Sequence, residues 1–369
     1  MVQRRITLSD LVPGQPLPWD VYRADGAPLW RKGQLPADQG QIGALLAGGL
    51  FANDEAPASV LHLLNDLNKR LERLLLGLRN ESNAERELRD IAREVLHAVD
   101  LNPDIALACI FLNQIAGSYA VRHCIETALV AVTVARGMQK TERETLVIVA
   151  AALTMNVGML RHNDLFQNKH TPLTRDEMEI VRRHPEESAD LLKCAGVDDE
   201  EWISCVMLHH ENDDGSGYPD GKTSDEISQN AKLIGLADRY CAYVSARNYR
   251  RSILPDQALR NMFVDKPHPI DAALAEQFIL QLGNYPPGSL VRLQNGEVGV
   301  VTERNSGPGG LHVHALRDAS GIAIPAAALP FAARRSTSEP EFAIAEALHE
   351  DQAGVRFSMK NVWGEQASL

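Results

Sequence analysis

Between Val60 and Leu78 the apolar positions Leu61, Leu64, Leu67, Leu71, Leu74 and Leu75 recur at steps of three and four, with Asn, Lys, Arg and Glu between them. That period turns one face of a helix toward an apolar partner, so the segment predicts an amphipathic helix suited to packing or to dimerisation. NESNAERE restarts the pattern, with Ser82 three residues before Glu85 as a capping start, and the period runs through Val99. From Asn102 to about Gly283 helix follows helix, over 105–117, 120–138, 142–155, 175–194, 200–209, 231–249 and 271–282. The two ends read differently. Before residue 57, short apolar alternations are cut by VPGQPLPW, RADGAPLW and RKGQLP, which predicts a small β-rich module with one helix near Gln39 to Leu46. After residue 283, LVRL, VGVV and LHVHAL alternate between NG and PGG turns, as in a small β-barrel. The expected organisation is a module at 1–56, a helical connector at 57–100, a helical body at 101–283, a β-barrel-like module at 284–335 and a loosely attached tail at 336–369. The fold class is mainly α, an all-helical bundle flanked by a small N-terminal α+β module and a small C-terminal β-barrel-like module.

With 369 residues and 44% apolar positions the chain can bury a large core, which excludes disorder as its main state. Its formal charge of −12 argues against a non-specific grip on nucleic acid or on an anionic membrane, though a local site for a small phosphate stays compatible. Five cysteines, odd in number and never spaced as CxxC, read as reduced core thiols, hence a cytoplasmic chain. The opening MVQRRITLSDLVPG lacks the apolar run of a signal peptide, and no stretch of about 18 uncharged apolar residues predicts a membrane span.

Among the twelve histidines, His123, His184, His209 and His210 fall on or at the ends of separate predicted helices, and Asp238 on a later one. A single helical His is most simply a surface or core residue. The adjacent pair His209-His210 differs, because it ends a helix beside a polar, Gly-rich loop where a metal or a phosphate can be reached. In that loop Gly215, Gly217 and Gly221 free the backbone. It can gather N–H groups into a phosphate nest, present Tyr218 outward, or form an ordinary tight turn. His312 and His314 alternate on one strand face, a weak metal pair or an exposed sheet surface.

HHENDDGSGYPDG resembles the signature HHExxDGxGYP of the HD-GYP domains, a bacterial branch of the HD phosphohydrolases. LTRDEMEIVRRHPEESADLL, AKLIGLADRYCAYVSARNYR and NYPPGSLVRLQNGEVGVV are similar to further family segments, and LVPGQPLPWDVYRADGAPLWRKGQ to an N-terminal module many relatives carry. The resemblance implies an HD-type bundle whose active members hydrolyse cyclic di-GMP at a two- or three-metal centre, usually iron or manganese. It makes His123, His184, His209, His210 and Asp238 the metal ligands. Gly215, Gly217, Tyr218 and Pro219 become the loop that meets a ligand or a GGDEF-type cyclase domain.

One segment departs from that pattern. Counting back from LTRDE through Lys169, the place of HDIGK is taken by Met155, Asn156, Val157, Gly158 and Met159, so the His, the metal-bridging Asp and the phosphate-contacting Lys are lost. An amide is no anionic bridge, and a thioether is a poor ligand for iron or manganese. The implied site holds one divalent ion or none, and cyclic di-GMP hydrolysis is expected to be absent or vestigial. The chain is then expected to be a degenerate signalling protein, acting by binding a partner or nucleotide, with the Leu-rich helix as the element of a homodimer. The alternative is an active, metal-dependent cyclic di-GMP phosphodiesterase with a rearranged site recruiting His162, Asp164, His170, Glu211, Asp213 or Asp214.

Overall fold

The computed structural model describes residues 2–5, 17, 20–23, 27–31, 34, 50–54, 58–245, 252–265, 271–304, 310–325 and 333–369. The chain divides into two compact units, Met1–Ser59 and Val60–Leu369. In the first, β1 (Val2–Arg5), β2 (Val21–Arg23), β3 (Pro28–Trp30) and β4 (Leu50–Asp54) make an antiparallel sheet in the order β1-β4-β2-β3. The helix expected near Gln39 to Leu46 lies outside the described residues.

The second unit is a helical body continuous with a small sheet, so the architecture is mainly α, as the apolar period predicts. Helix α1 (Val60–Gly77) buries its leucine stripe in the same core as α2 (Glu85–Leu101). That corrects the dimerisation reading: the stripe is used up within its own chain. The Ser82 cap is also corrected. Helix α2 starts after Ala84 with no side-chain cap, and Glu85 instead accepts from the backbone N–H of Asp198 and pairs with Arg89. Helix α3 (Pro103–Phe111) begins where the Asn102 side chain accepts from two backbone N–H groups and proline fills the first turn. It stops well short of Gly117, because Asn113 turns left-handed at φ +51°.

Helix α4 (Tyr119–Gly137) is buried along most of its length and packs against α5 (Glu142–Thr154). Capping boxes, Thr141 with Glu144 and Thr174 with Glu177, start α5 and α7 (Arg175–Cys194). Between them α6 (Leu160–Gln167) went unpredicted, since LRHNDLFQ carries too few apolar residues to show a period. Helix α8 (Glu200–Leu208) leads to the His pair, α9 (Gln229–Val244) carries Asp238, and α10 (Pro255–Phe263) and α11 (Ala272–Leu282) follow. Residues 142–163 are apolar and long enough to pass for a membrane span, yet 72% of that window is buried inside the body, as a core helix is.

Strands β5 (Leu290–Leu293), β6 (Val298–Glu303), β7 (His312–Arg317), β8 (Arg334–Ser336) and β9 (Ile344–Leu348) form an antiparallel sheet in the order β8-β7-β6-β5-β9. The barrel expectation is thus met by an open sheet. The tail expectation is corrected: residues 344–348 pair with β5, with Leu290 opposite Leu348. Beyond α12 (Glu350–Ala353), α13 (Met359–Trp363) sends Met359 into the helical core, and Trp363 Nε1 donates to the Thr302 carbonyl at 3.1 Å. Cys109, Cys124, Cys205 and Cys241 are buried as expected, whereas Cys194 is exposed. Burial pushes the Cys109, Cys124 and Cys205 thiols up to about 12, which keeps them protonated and inert.

Candidate metal centre

Helix α7 contains Pro185, which has no N–H to give to the carbonyl of Val181 one turn back. His184 Nδ1 takes that place, 2.6 Å from the Val181 oxygen. His209, just past the last residue of α8, does the same with the end-of-helix carbonyl of Val206, at 2.7 Å. A carbonyl only accepts, so both rings carry the proton on Nδ1 and present a bare Nε2. Those two Nε2 atoms face each other at 3.2 Å. His210 joins them, its ring 4.1 Å from that of His209 and 5.0 Å from that of His184 by centroids, and the three offer nitrogen atoms all within 4.8 Å of one another.

Two lone pairs at that distance repel unless a cation lies between them. A proton is a poor candidate. Burial, then the neighbouring His209 charge, takes His184 down to about 3, and burial holds His209 and His210 below the usual imidazole range. A divalent metal ion with imidazole affinity fits this set. Two glycines hold the rings close: a Cβ on Gly158 would meet the His184 carbonyl oxygen at 2.7 Å, and one on Gly235 the His209 carbonyl oxygen at 2.1 Å. The Gly158 N–H also donates to Ser188 Oγ, one turn beyond His184.

The Gly-rich loop does gather a nest. The backbone N–H groups of Asp220, Gly221 and Lys222 converge on an anion, but that anion is the chain's own Glu211 carboxylate, at 2.8, 3.1 and 2.9 Å. The phosphate-nest reading is corrected accordingly. Gly215 and Gly221 adopt φ of +74° and +70°, and an isolated bridge joins Asp214 to Thr223. Gly217 lies so close to Glu211 and His210 that a Cβ would meet backbone atoms at about 2.5 Å. This folds Tyr218 inward, its N–H donating to the His210 carbonyl and its ring stacked on the His210 imidazole at 4.6 Å and 28°. The expectation of an outward Tyr218 is therefore also corrected; burial pushes its hydroxyl pKa up. Pro219 follows through a cis peptide bond.

Residues 109–274 match the HD domain family. This helical body is an HD-GYP domain. Among curated relatives, cyclic di-GMP phosphodiesterase PA4108 of Pseudomonas aeruginosa is 30% identical over 217 residues, 58% of this chain and 52% of its own length. Cyclic di-GMP phosphodiesterase response regulator RpfG of Xanthomonas campestris pv. campestris is 33% identical over 151 residues, 39% of this chain and 40% of its own. The chain thus spans about half the length or less of these relatives. Bd1817, a HDG"Y"P protein from Bdellovibrio bacteriovorus, superposes with a TM-score of 0.49 at 14% identity, over 75% of this chain and 98% of that one.

In this HD-GYP domain the other two expected ligands turn to each other. His123 Nε2 lies 2.7 Å from Asp238 Oδ1, both residues buried, and Tyr119 stacks on the His123 ring. Burial pushes the Asp238 carboxyl up, but the His123 hydrogen bond and the charges of His123, His210 and His209 outweigh it and hold it well below the carboxylate range. Asn156 is 2% exposed; it faces the Cys124 thiol, and its Oδ1 is buried without a hydrogen-bond partner. It offers a neutral oxygen where an anion is needed to bind two cations. Met155 is wholly buried in the core, and Met159 is half-buried.

The substitutes considered for a rearranged site are occupied elsewhere. Glu211 holds the loop, Asp213 pairs with Lys232 at 2.8 Å, and Asp214 accepts from Ser216. Lys169 pairs with Glu177, His162 stacks on Phe166, and His170 is exposed. The side chain of Asp164 and residues 246–250 lie outside the described set. His314 is buried on its strand and His312 lies 3.9 Å from Glu303; they join no cluster of three ligand-type groups among the described residues. Sequence reasoning missed Glu211 and Ser188 as organisers. The Pro185 gap in the helix was a legible signal for the first ring's orientation.

Proposed function

We propose that this chain is a degenerate HD-GYP protein of cyclic di-GMP signalling, binding at most one divalent ion of the iron or manganese type and recognising rather than hydrolysing its ligand. The carrying observation is the buried Asn156 amide beside a His123–Asp238 pair closed on itself, next to three imidazoles whose lone pairs converge. A metal ion there would supply a local positive charge for a phosphate. The chain's own residues would do the rest: His184, His209 and His210 hold the ion, Asp238 balances charge, and Tyr218 covers one flank. Phosphoryl transfer also needs a deprotonated water held between two cations and a counter-charge for the transition state. Each such group is worth about a hundredfold or more, and Asn156 and Met159 replace two of them.

The relatives named as cyclic di-GMP phosphodiesterases support that dinucleotide as the ligand class. The self-contained loop 211–223 supports a contact surface for a partner such as a GGDEF-type domain. The test is metal stoichiometry by plasma mass spectrometry, calorimetric titration with cyclic di-GMP, and a turnover assay on iron- or manganese-loaded protein. We expect no more than one ion per chain, lost in His209→Ala, with no pGpG or GMP formed. Two ions per chain with turnover abolished by His209→Ala would establish the rearranged enzyme instead.

A further inference from the structure

Away from the histidines, the junction between the helical body and the C-terminal sheet encloses a cavity of about 340 Å³. That is too large for a single water or ion and within the size range of small-molecule sites. Its wall is mixed, with an apolar part formed by Phe111, Leu254, Leu290, Val355, Phe357 and Met359 and a polar part that includes Gln114, Ser252 and His349. Two polar groups interrupt it in a way that packing does not explain. Ser289 is 4% exposed, and its hydroxyl has no hydrogen-bond partner, a costly state for a buried donor. Arg356, on the segment joining α12 to α13, is exposed at the rim and has no carboxylate partner among the described residues. Glu350 also lines the cavity; like Arg356 it is open to water, which screens both charges.

We propose that this cavity binds a small amphipathic carboxylate, with its apolar part among Phe111, Leu290, Phe357 and Met359 and its head group on Arg356 and the Ser289 hydroxyl. An apolar patch beside one cation and one unsatisfied donor recognises that class, and a neutral analogue forgoes the charge-assisted hydrogen bond to the guanidinium. The site touches α9 at Val244, the last residue of the helix that carries Asp238. An occupant would therefore contact the same rigid element as the metal centre.

The test uses the full chain and three probes: anilinonaphthalene sulfonate as a fluorescent amphipathic anion, decanoate as competitor and decanol as its neutral counterpart. Expected are saturable binding at one site per chain, displacement by decanoate and a much weaker effect of decanol. Arg356→Gln should weaken binding about tenfold, and Ala347→Phe, which fills the cavity from β9, should abolish it. Circular dichroism and melting of both variants guard against misfolding, and decanoate should slow hydrogen exchange in residues 288–290 and 347–357. Unsaturable binding, or binding unchanged in Ala347→Phe, overturns the site. Binding lost in Ala347→Phe but untouched by Arg356→Gln, or equal for decanol and decanoate, overturns the carboxylate class.

Discussion

The two halves of the histidine pocket both contain buried imidazoles and reach opposite states. In one, His184 and His209 hand their Nδ1 protons to orphaned helix carbonyls, leaving bare Nε2 atoms 3.2 Å apart with His210 alongside. In the other, His123 satisfies its Nε2 directly on Asp238, and the adjoining Asn156 contributes an uncharged oxygen. The difference teaches that ligand identity does not make a metal site. What matters is where each ring's second nitrogen finds its partner, and whether the neighbouring oxygen carries charge.

The strongest attempt to erase this difference is the triple substitution Met155→His, Asn156→Asp, Met159→Lys. Restoring an anion between the halves should raise metal content from one ion toward two and create cyclic di-GMP hydrolysis at least about a thousandfold above the parent. A restored protein with two ions and no turnover would show that the loss lies outside residues 155–159. Next, His123→Ala should leave Asp238 buried and unpaired, costing about 3 kcal/mol of stability in denaturant unfolding while the metal content of the other half stays unchanged. A parallel loss of metal would merge the two halves into one site.

Smaller is Glu211→Gln, which keeps the shape but removes the charge gathered by three backbone N–H groups. A loss of about 2 kcal/mol is expected, with faster hydrogen exchange confined to residues 211–223. Most gradual is the acid response of the metal-free protein, spread over several pH units. His184 sits near 3 in the fold against 6.5 when unfolded, so below pH 6.5 the unfolded chain binds the extra proton. Its contribution should then be flat above pH 6.5 and fall by up to about 1.4 kcal/mol per pH unit below it, adding to those of His209 and His210, so that His184→Gln makes the slope shallower. No such change of slope would mean the ring is not buried neutral.

Much of the body could be read from the chain because α1, α4, α5, α7 and α8 combine an apolar period with recognisable ends. What escaped was local and polar. Helix α6 has almost no apolar stripe, Ser82 had a better-placed competitor in the contact between Glu85 and Asp198, and β9 is a half-exposed edge strand whose pairing is decided by β5. The three clustered histidines followed from family resemblance. Their tautomers did not, although Pro185 already withheld the N–H that fixes one of them. The fate of His123 and Asp238 could not be read, because their mutual hydrogen bond depends on helices separated by more than a hundred residues.

Glu211 has a last consequence. Because the loop brings its own counter-anion, its three converging N–H groups need no anion from the neighbouring pocket. A change at residues 155–159 therefore leaves the anion that shapes this loop in place.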